Sequence, residues 1–228
     1  MRIRVLIACI FTIAIPAQAD TIAIIGTGSV GAALGPEFAA QGHTIIYGSR
    51  DPGRQEIQDL VAKTGDGTTA TAPAESVIDA DIVVLAVPGL LVEEITLGLG
   101  NLTGKIIIDP TNPLLQSNAG LMHGVATSNA EVIQAAAPGA DVVKAFNTLS
   151  WTRMVEPESA GGPVSIPLCG DSDAAKAVVA NLIEGMDLEA IDVGPIENSR
   201  WVEGMAILLI NNLYGSDRPN FDFHLRKN

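Results

Sequence analysis

The chain has 228 residues, 47% of them hydrophobic and 17% charged, with a formal net charge of −13. That length and apolar fraction suffice for one well-buried globular domain. The acidic balance excludes nucleic acid and anionic lipid as partners, and it makes any Arg or Lys beside a glycine-rich turn worth following.

Residues 1–19 read as a leader: "MRIR" is basic, "VLIACIFTIAIP" is apolar, and "AQA" supplies small residues before Asp20. This is the layout of a secretory signal peptide cut after Ala19. The apolar run is shorter than the ~20 residues a membrane span needs, so no stable membrane insertion is expected. The chain is expected in the periplasm or outside the cell, or in the cytoplasm if the leader is not cut. Losing the leader removes Cys9 and leaves Cys169 as the only cysteine, so no intramolecular disulfide is expected. Cys169 lies in the strand-like run "VSIPLCGD" and reads as a core residue.

Downstream, β-rich apolar runs at 21–25, 44–47, 82–87, 105–109, 141–145, 164–169 and 188–193 alternate with helical stretches at 30–41, 55–63, 91–99, 129–137, 173–185 and 198–213. The runs are apolar on both faces, as in strands buried between helix layers. The alternation predicts an α/β fold, a Rossmann-type doubly wound parallel sheet. One domain is expected over residues 20–228, with a soft boundary near 154–162, where "MVEPESAGG" is rich in small and polar residues. The tail "SDRPNFDFHLRKN" carries no pattern and reads as loose.

Between the first run and the first helix, Gly26, Gly28 and Gly31 form G-x-G-x-x-G. Gly26 suits a tight turn, Gly28 a close approach of backbone to pyrophosphate, and Gly31 close packing of helix on strand. The N–H groups near Ser29 and Val30 then face the phosphates at the positive end of the helix. The alternative is a tight turn with no ligand.

A dinucleotide fold that selects NAD carries an acid near the end of its second strand to hold the ribose 2′-hydroxyl. Here that place reads Gly48, Ser49, Arg50. A carboxylate would repel a 2′-phosphate, whereas Ser49 and Arg50 bind one, Arg50 through a planar fork of donors. Arg54 stands near the start of the next helix and can close over the same group. The cofactor predicted is NADP(H), not NAD(H).

The chain offers little for acid–base or metal chemistry. His43, His123 and His224 are scattered, and none stands at metal-ligand spacing from another His or Cys. No catalytic residue and no metal site are assigned. Asn112 and Asn147, at later strand ends, read equally as ligand contacts or turn formers. Lys144 reads as a solvent lysine at a strand edge, with contact to an anionic acceptor as the alternative.

Taken together, "IAIIGTGSVG", "GSRDP", "DIVVLAVP", "IIIDPTNPL" and "VVKAFNTLSW" resemble the NADPH-dependent coenzyme F420 reductase family, whose motifs recur in the NADPH domains of metalloreductases. The resemblance covers nearly all of the chain after the leader. It implies an oxidoreductase that passes a hydride between NADP(H) and a flavin or deazaflavin such as coenzyme F420. It also implies a homodimer and a small C-terminal helical part. By position it places Thr27, Gly28, Ser29 and Val30 at the pyrophosphate and Ser49, Arg50 and Arg54 at the 2′-phosphate. Val87 and Pro88 border the adenosine and pyrophosphate, and Ala145 lies near the nicotinamide. Hydride transfer between two rings needs positioning and exclusion of water rather than protein acid–base groups. The alternative is a non-catalytic NADP(H)-binding module or redox partner subunit. A reductase of imines or keto acids is disfavoured, because the chain lacks the long all-helical second domain such enzymes use.

Overall fold

The computed structural model describes residues 19–117, 120–122, 126–213 and 221–226. The expected leader, apart from Ala19, and His123 lie outside the described residues.

Five β-branched runs form the centre of a six-stranded sheet: β1 (Thr21–Ile25), β2 (Thr44–Gly48), β4 (Ile82–Leu85), β5 (Ile106–Asp109) and β8 (Asp141–Lys144). With β3 (Thr69–Thr71) at one edge, the order is β3-β2-β1-β4-β5-β8. All neighbours are parallel, with Ile22 opposite both Ile45 and Ile82. The chain builds outward from β1 to β3, then returns to add β4, β5 and β8 on the other side. The crossing point between β1 and β4 is the topological switch at which such sheets bind ligands.

Because side chains alternate along a strand, the sheet fills two cores. Ile22, Ile24, Tyr47, Val84, Ile108 and Val143 pack against Leu34 and Phe38 of α1 (Ser29–Ala40) and Val179 and Leu182 of α7 (Asp173–Glu184). On the other face Ala23, Ile25, Val83, Leu85 and Ile107 pack against Val92 of α4 (Val92–Gly98) and Ile133 of α5 (Asn129–Ala136). Helix α2 (Gln55–Thr64) packs beside α1. Tyr47 reaches through its core to Thr64, hydroxyl to hydroxyl at 2.8 Å.

Several elements depart from the expectation. The fourth strand stops at Leu85 rather than residue 87, since the Val87 N–H turns back to the Leu85 carbonyl and Pro88 has no N–H to offer. Strand β3 and the four-residue α3 (Pro73–Ser76) are too short and polar to give a periodic signal. The hairpin β6 (Leu115–Ser117) with β7 (Gly120–Met122) and the short α6 (Trp151–Val155) were likewise not expected.

The last two strands, β9 (Ser165–Leu168) and β10 (Glu189–Asp192), form a separate parallel pair. It joins β8 through a single antiparallel bridge, Lys144 N–H to the Cys169 carbonyl at 2.9 Å and Cys169 N–H to the Lys144 carbonyl at 3.2 Å. The core of the α1 face runs unbroken past residues 154–162, with Leu149 before them, Met154 among them and Val164 and Ile166 after. The tail is pinned where it is described: the Phe223 carbonyl accepts from Ser165 N–H at 2.9 Å, and Asp222 pairs with Arg153 at 3.1 Å. Helix α8 (Ser199–Leu213) is the C-terminal helical part and packs on α5.

Candidate functional site

The glycine turn joins β1 to α1. Gly26 has φ of 97°, in the left-handed region that favours glycine, and a Cβ there would lie 2.2 Å from the Ala86 carbonyl oxygen. A Cβ on Gly31 would lie 2.1 Å from the Gly26 carbonyl oxygen, so the helix can only approach the turn this closely as glycine. Gly28 differs: a Cβ there would meet nothing within 4 Å. It faces open space, and it is the N-cap of α1 without any side-chain cap. The first-turn N–H groups therefore have no side chain to satisfy them, which fits an anionic ligand. Thr27, Ser29 and Val30 complete this loop.

One strand over, β3 fixes the second part of the site. Ser49 N–H bonds to the Thr71 carbonyl at 2.9 Å, holding the chain as it leaves β2. Ser49 is half-buried and Arg50 exposed. Among the described residues nothing pairs with the Arg50 guanidinium, whereas Arg54, the N-cap of α2, is drawn to Glu56 at 3.2 Å. Val87 and Pro88 follow the end of β4 and Ala145 follows the end of β8, so sequence positions assigned to one ligand all fall at the carboxyl edge of the sheet.

The same edge holds a group the sequence reading misjudged. Lys144 is not a solvent lysine; its side chain is 0% exposed. Its Nζ donates to Asp109 Oδ2 at 2.9 Å, to the Thr111 carbonyl at 2.5 Å and to Glu203 Oε1 at 2.6 Å. Burial pulls the ammonium's pKa down, but the two carboxylates outweigh it and hold Lys144 above its ordinary value. Burial also dominates at Glu203, pushing its carboxyl up to about 7 despite Lys144 beside it. Glu203 further accepts the Asn129 N–H at 2.8 Å, and Asp109 Oδ1 accepts from both N–H and hydroxyl of Thr111. The missed signal was a charged residue closing each of two continuous apolar strands, "IIID" and "DVVK", at matching register, since Asp109 lies opposite Lys144.

Asn112 and Asn147, left open between ligand and turn roles, bond to each other. Asn147 Nδ2 donates to Asn112 Oδ1 at 3.0 Å, and Asn112 Nδ2 donates to the Asn147 carbonyl at 3.2 Å. They tie the ends of β5 and β8 together. Phe146, between Ala145 and Asn147, holds a left-handed φ of 64°, a conformation costly for a bulky residue that turns the chain sharply here. Cys169 is buried as expected, and burial pushes its thiol up to about 12. His43 faces Asp20 and His224 faces Glu189, both away from this edge. A cavity of about 300 Å³ lined by Glu189, His224 and Leu225 lies on the β10 side, also remote from the glycine turn.

A family model described as NADP oxidoreductase, coenzyme F420-dependent, matches residues 21–113. The F420-dependent NADP reductase of Methanothermobacter thermautotrophicus is 31% identical over 208 residues, covering 83% of this chain and 88% of that protein. The chain belongs to the coenzyme F420-dependent NADP oxidoreductase family. It is thereby an NADP-dependent oxidoreductase. A crystal structure of a candidate F420-dependent NADP reductase from Arthrobacter sp. FB24 superposes with a TM-score of 0.82 at 32% identity, over 92% of this chain and all of that one. Rat metalloreductase STEAP3 is 28% identical over 198 residues, 86% of this chain, which spans only 38% of the rat protein's length. The 3-hydroxyisobutyrate dehydrogenase of Mycobacterium tuberculosis, at 21% identity and a TM-score of 0.60, shares the fold. This family member keeps the glycine turn at its first βα junction and has no acid at Ser49 or Arg50.

Proposed function

We propose that the protein transfers a hydride between NADP(H) and a flavin or deazaflavin acceptor of the coenzyme F420 type. The observation that carries the reading is the combination of an uncapped helix start at Gly28 with an Arg50 guanidinium that none of the described residues pairs with, one strand away on the same sheet edge. Thr27, Gly28, Ser29, Val30 and the α1 dipole hold the pyrophosphate; Ser49 and Arg50, with Arg54, hold the 2′-phosphate. This puts the adenosine half over β2 and β1. The nicotinamide half then runs past Val87 and Pro88 toward Ala145, over the ends of β4, β5 and β8. NADPH supplies the hydride. The chain's part is to orient the ring and keep water out, which the buried Ala145 and Phe146 after β8 and the Asn112–Asn147 tie support.

Two further features belong to this reading. Trp201 and Leu208 stand exposed at 66% and 60% on α8, seven residues apart and so on one helix face. They supply an apolar stripe for a second copy of the chain. Cleavage after Ala19 with export is retained as the proposal for residues 1–19.

The deciding measurement mixes the purified chain with NADPH and, separately, flavin mononucleotide or coenzyme F420, following loss of NADPH absorbance. Turnover with either acceptor supports the proposal. Tight NADPH binding without turnover on any acceptor would favour the non-catalytic module instead.

A further inference from the structure

The turn that follows β8 carries an energetic cost at each of three consecutive residues, Phe146, Asn147 and Thr148. Phe146 holds its left-handed φ of 64° while its ring stays in the core, edge-on to Phe38 of α1 with centroids 6.0 Å apart. Beside it, Asn147 Oδ1 is buried without a hydrogen-bond partner, and so is the hydroxyl of Thr148. The two residues are 3% and 2% exposed. The orientation of the Asn147 amide is fixed by its other end. Nδ2 donates to Asn112 Oδ1 and, at 3.3 Å, to the Val202 carbonyl, so the flipped amide would set oxygen against both acceptors. A buried polar atom with no partner costs the desolvation of that group, and a bulky residue in the left-handed region costs strain. Stability gives no account of such costs side by side, whereas a ligand received at this turn does.

We propose that the side chains of Asn147 and Thr148 receive the carboxamide of the nicotinamide, whose N–H donates to Asn147 Oδ1 and whose carbonyl accepts from the Thr148 hydroxyl. The inference rests on the cofactor placement proposed above, which brings the ring to Ala145, immediately before this turn. A primary carboxamide carries N–H donors and one carbonyl on a single planar group, the complement of one amide oxygen and one hydroxyl. In that placement the adenine lies over β2 and β1, so the carboxamide is the cofactor group that meets the end of β8. Both atoms are shut off from solvent, so the turn shifts to present them. The Phe146 ring stays anchored against Phe38, and its left-handed backbone is the pivot at which a shift relieves strain. Holding the carboxamide fixes how the ring is turned, and with it the face offered to the acceptor.

Dissociation constants for NADPH and for adenosine 2′,5′-bisphosphate, which keeps the 2′-phosphate but has no nicotinamide, test this on the full chain and on Thr148→Val and Thr148→Ser. Thr148→Val keeps the shape and removes the hydroxyl. It should weaken NADPH by roughly three- to tenfold, the effect of one hydrogen bond, and leave the bisphosphate unchanged. Its Tm without ligand should rise by about 2–6 °C, because a buried group with no partner has gone. A hydroxyl that only supports the fold gives the opposite sign. Thr148→Ser keeps the hydroxyl and should keep NADPH affinity near that of the parent. For Asn147 the probe is 3-acetylpyridine adenine dinucleotide phosphate, in which a methyl replaces the carboxamide nitrogen. It should bind the parent roughly three- to tenfold worse than NADP+. Unchanged NADPH affinity in Thr148→Val, or an equal loss for both ligands, would overturn the inference. A Tm below the parent's, or a variant that does not fold, overturns it equally, since the hydroxyl is then satisfied in the free protein, as by a buried water. Equal binding of the acetyl analogue and NADP+ would remove Asn147 from the site. Failure of the parent to bind the bisphosphate would instead remove the cofactor placement, and this inference with it.

Discussion

The Tyr47 hydroxyl occupies the space where a side chain on Gly35 would begin: a Cβ on Gly35 would lie 1.9 Å from that oxygen. The second strand and first helix are thus spaced by a phenol standing against a glycine, with Thr64 holding the phenol by its hydrogen bond.

Gly35→Ala should therefore destabilise the fold by about 1–3 kcal/mol through overpacking. Thermal unfolding would register this as a lower Tm. Affinity for NADPH in the folded fraction should stay near that of the parent, because Gly35 lies two turns into α1, away from the phosphate loop.

The three glycines of the first turn should separate by phenotype. Gly28→Ala meets nothing within 4 Å and should keep the parent Tm, yet lose NADPH affinity if, as proposed, the pyrophosphate approaches the backbone where its methyl would stand. Gly31→Ala meets the Gly26 carbonyl at 2.1 Å and should lower Tm as well. A Gly28→Ala protein that binds NADPH normally would remove the phosphate role from this loop.

Arg50→Ala should weaken NADPH by at least tenfold and leave NADH nearly unchanged, since only the former carries the phosphate that a guanidinium grips. Arg54→Ala should have a smaller effect, because Arg54 already leans on Glu56. Paired titrations of both nucleotides check this; equal losses would show that Arg50 does not read the 2′-phosphate.

Stability should depend on pH through Glu203. Its folded value of about 7 lies above the ordinary glutamate value of roughly 4.3. A raised folded value means that the native state holds the proton more tightly. This contribution to stability is complete below the unfolded value and is lost as pH rises through about 7. Glu203→Gln removes the slope. The Tm of the variant, compared with the parent, should therefore improve between pH 5 and pH 8. A difference that stays constant across that interval would mean that Glu203 titrates normally.

Much of this was readable from the chain. The runs "IAII", "IVVL" and "III" are apolar at every position, which only a strand covered on both faces tolerates, and G-x-G-x-x-G named its own mechanics: turn, open approach and close packing. The strand Thr69–Thr71 was not readable, because three small polar or methyl side chains carry no period. Lys144 was misread for a different reason. A single lysine at the end of an apolar strand looks solvated unless its partners are known, and those partners come from 35 and 59 residues away. Sequence periodicity sees neighbours along the chain, whereas the ion cluster exists only once β5, β8 and α8 have met. The tail was misjudged likewise, since its bonds to Ser165 and Arg153 are made by one carbonyl, one amide and one carboxylate rather than by an apolar pattern.

Asp20 already belongs to the folded body: its carbonyl accepts from Thr44 N–H at 3.0 Å and its own N–H reaches His43 Nδ1 at 3.1 Å. A peptidase cutting after Ala19 would sever no rung of the β1–β2 ladder. It would turn that amide into a cationic amine facing an imidazole, with the carboxylates of Asp20 and Asp81 close by to neutralise it. Maturation and the first strand pairing would then share a residue, and the trimmed protein would begin at a residue already bonded into the sheet.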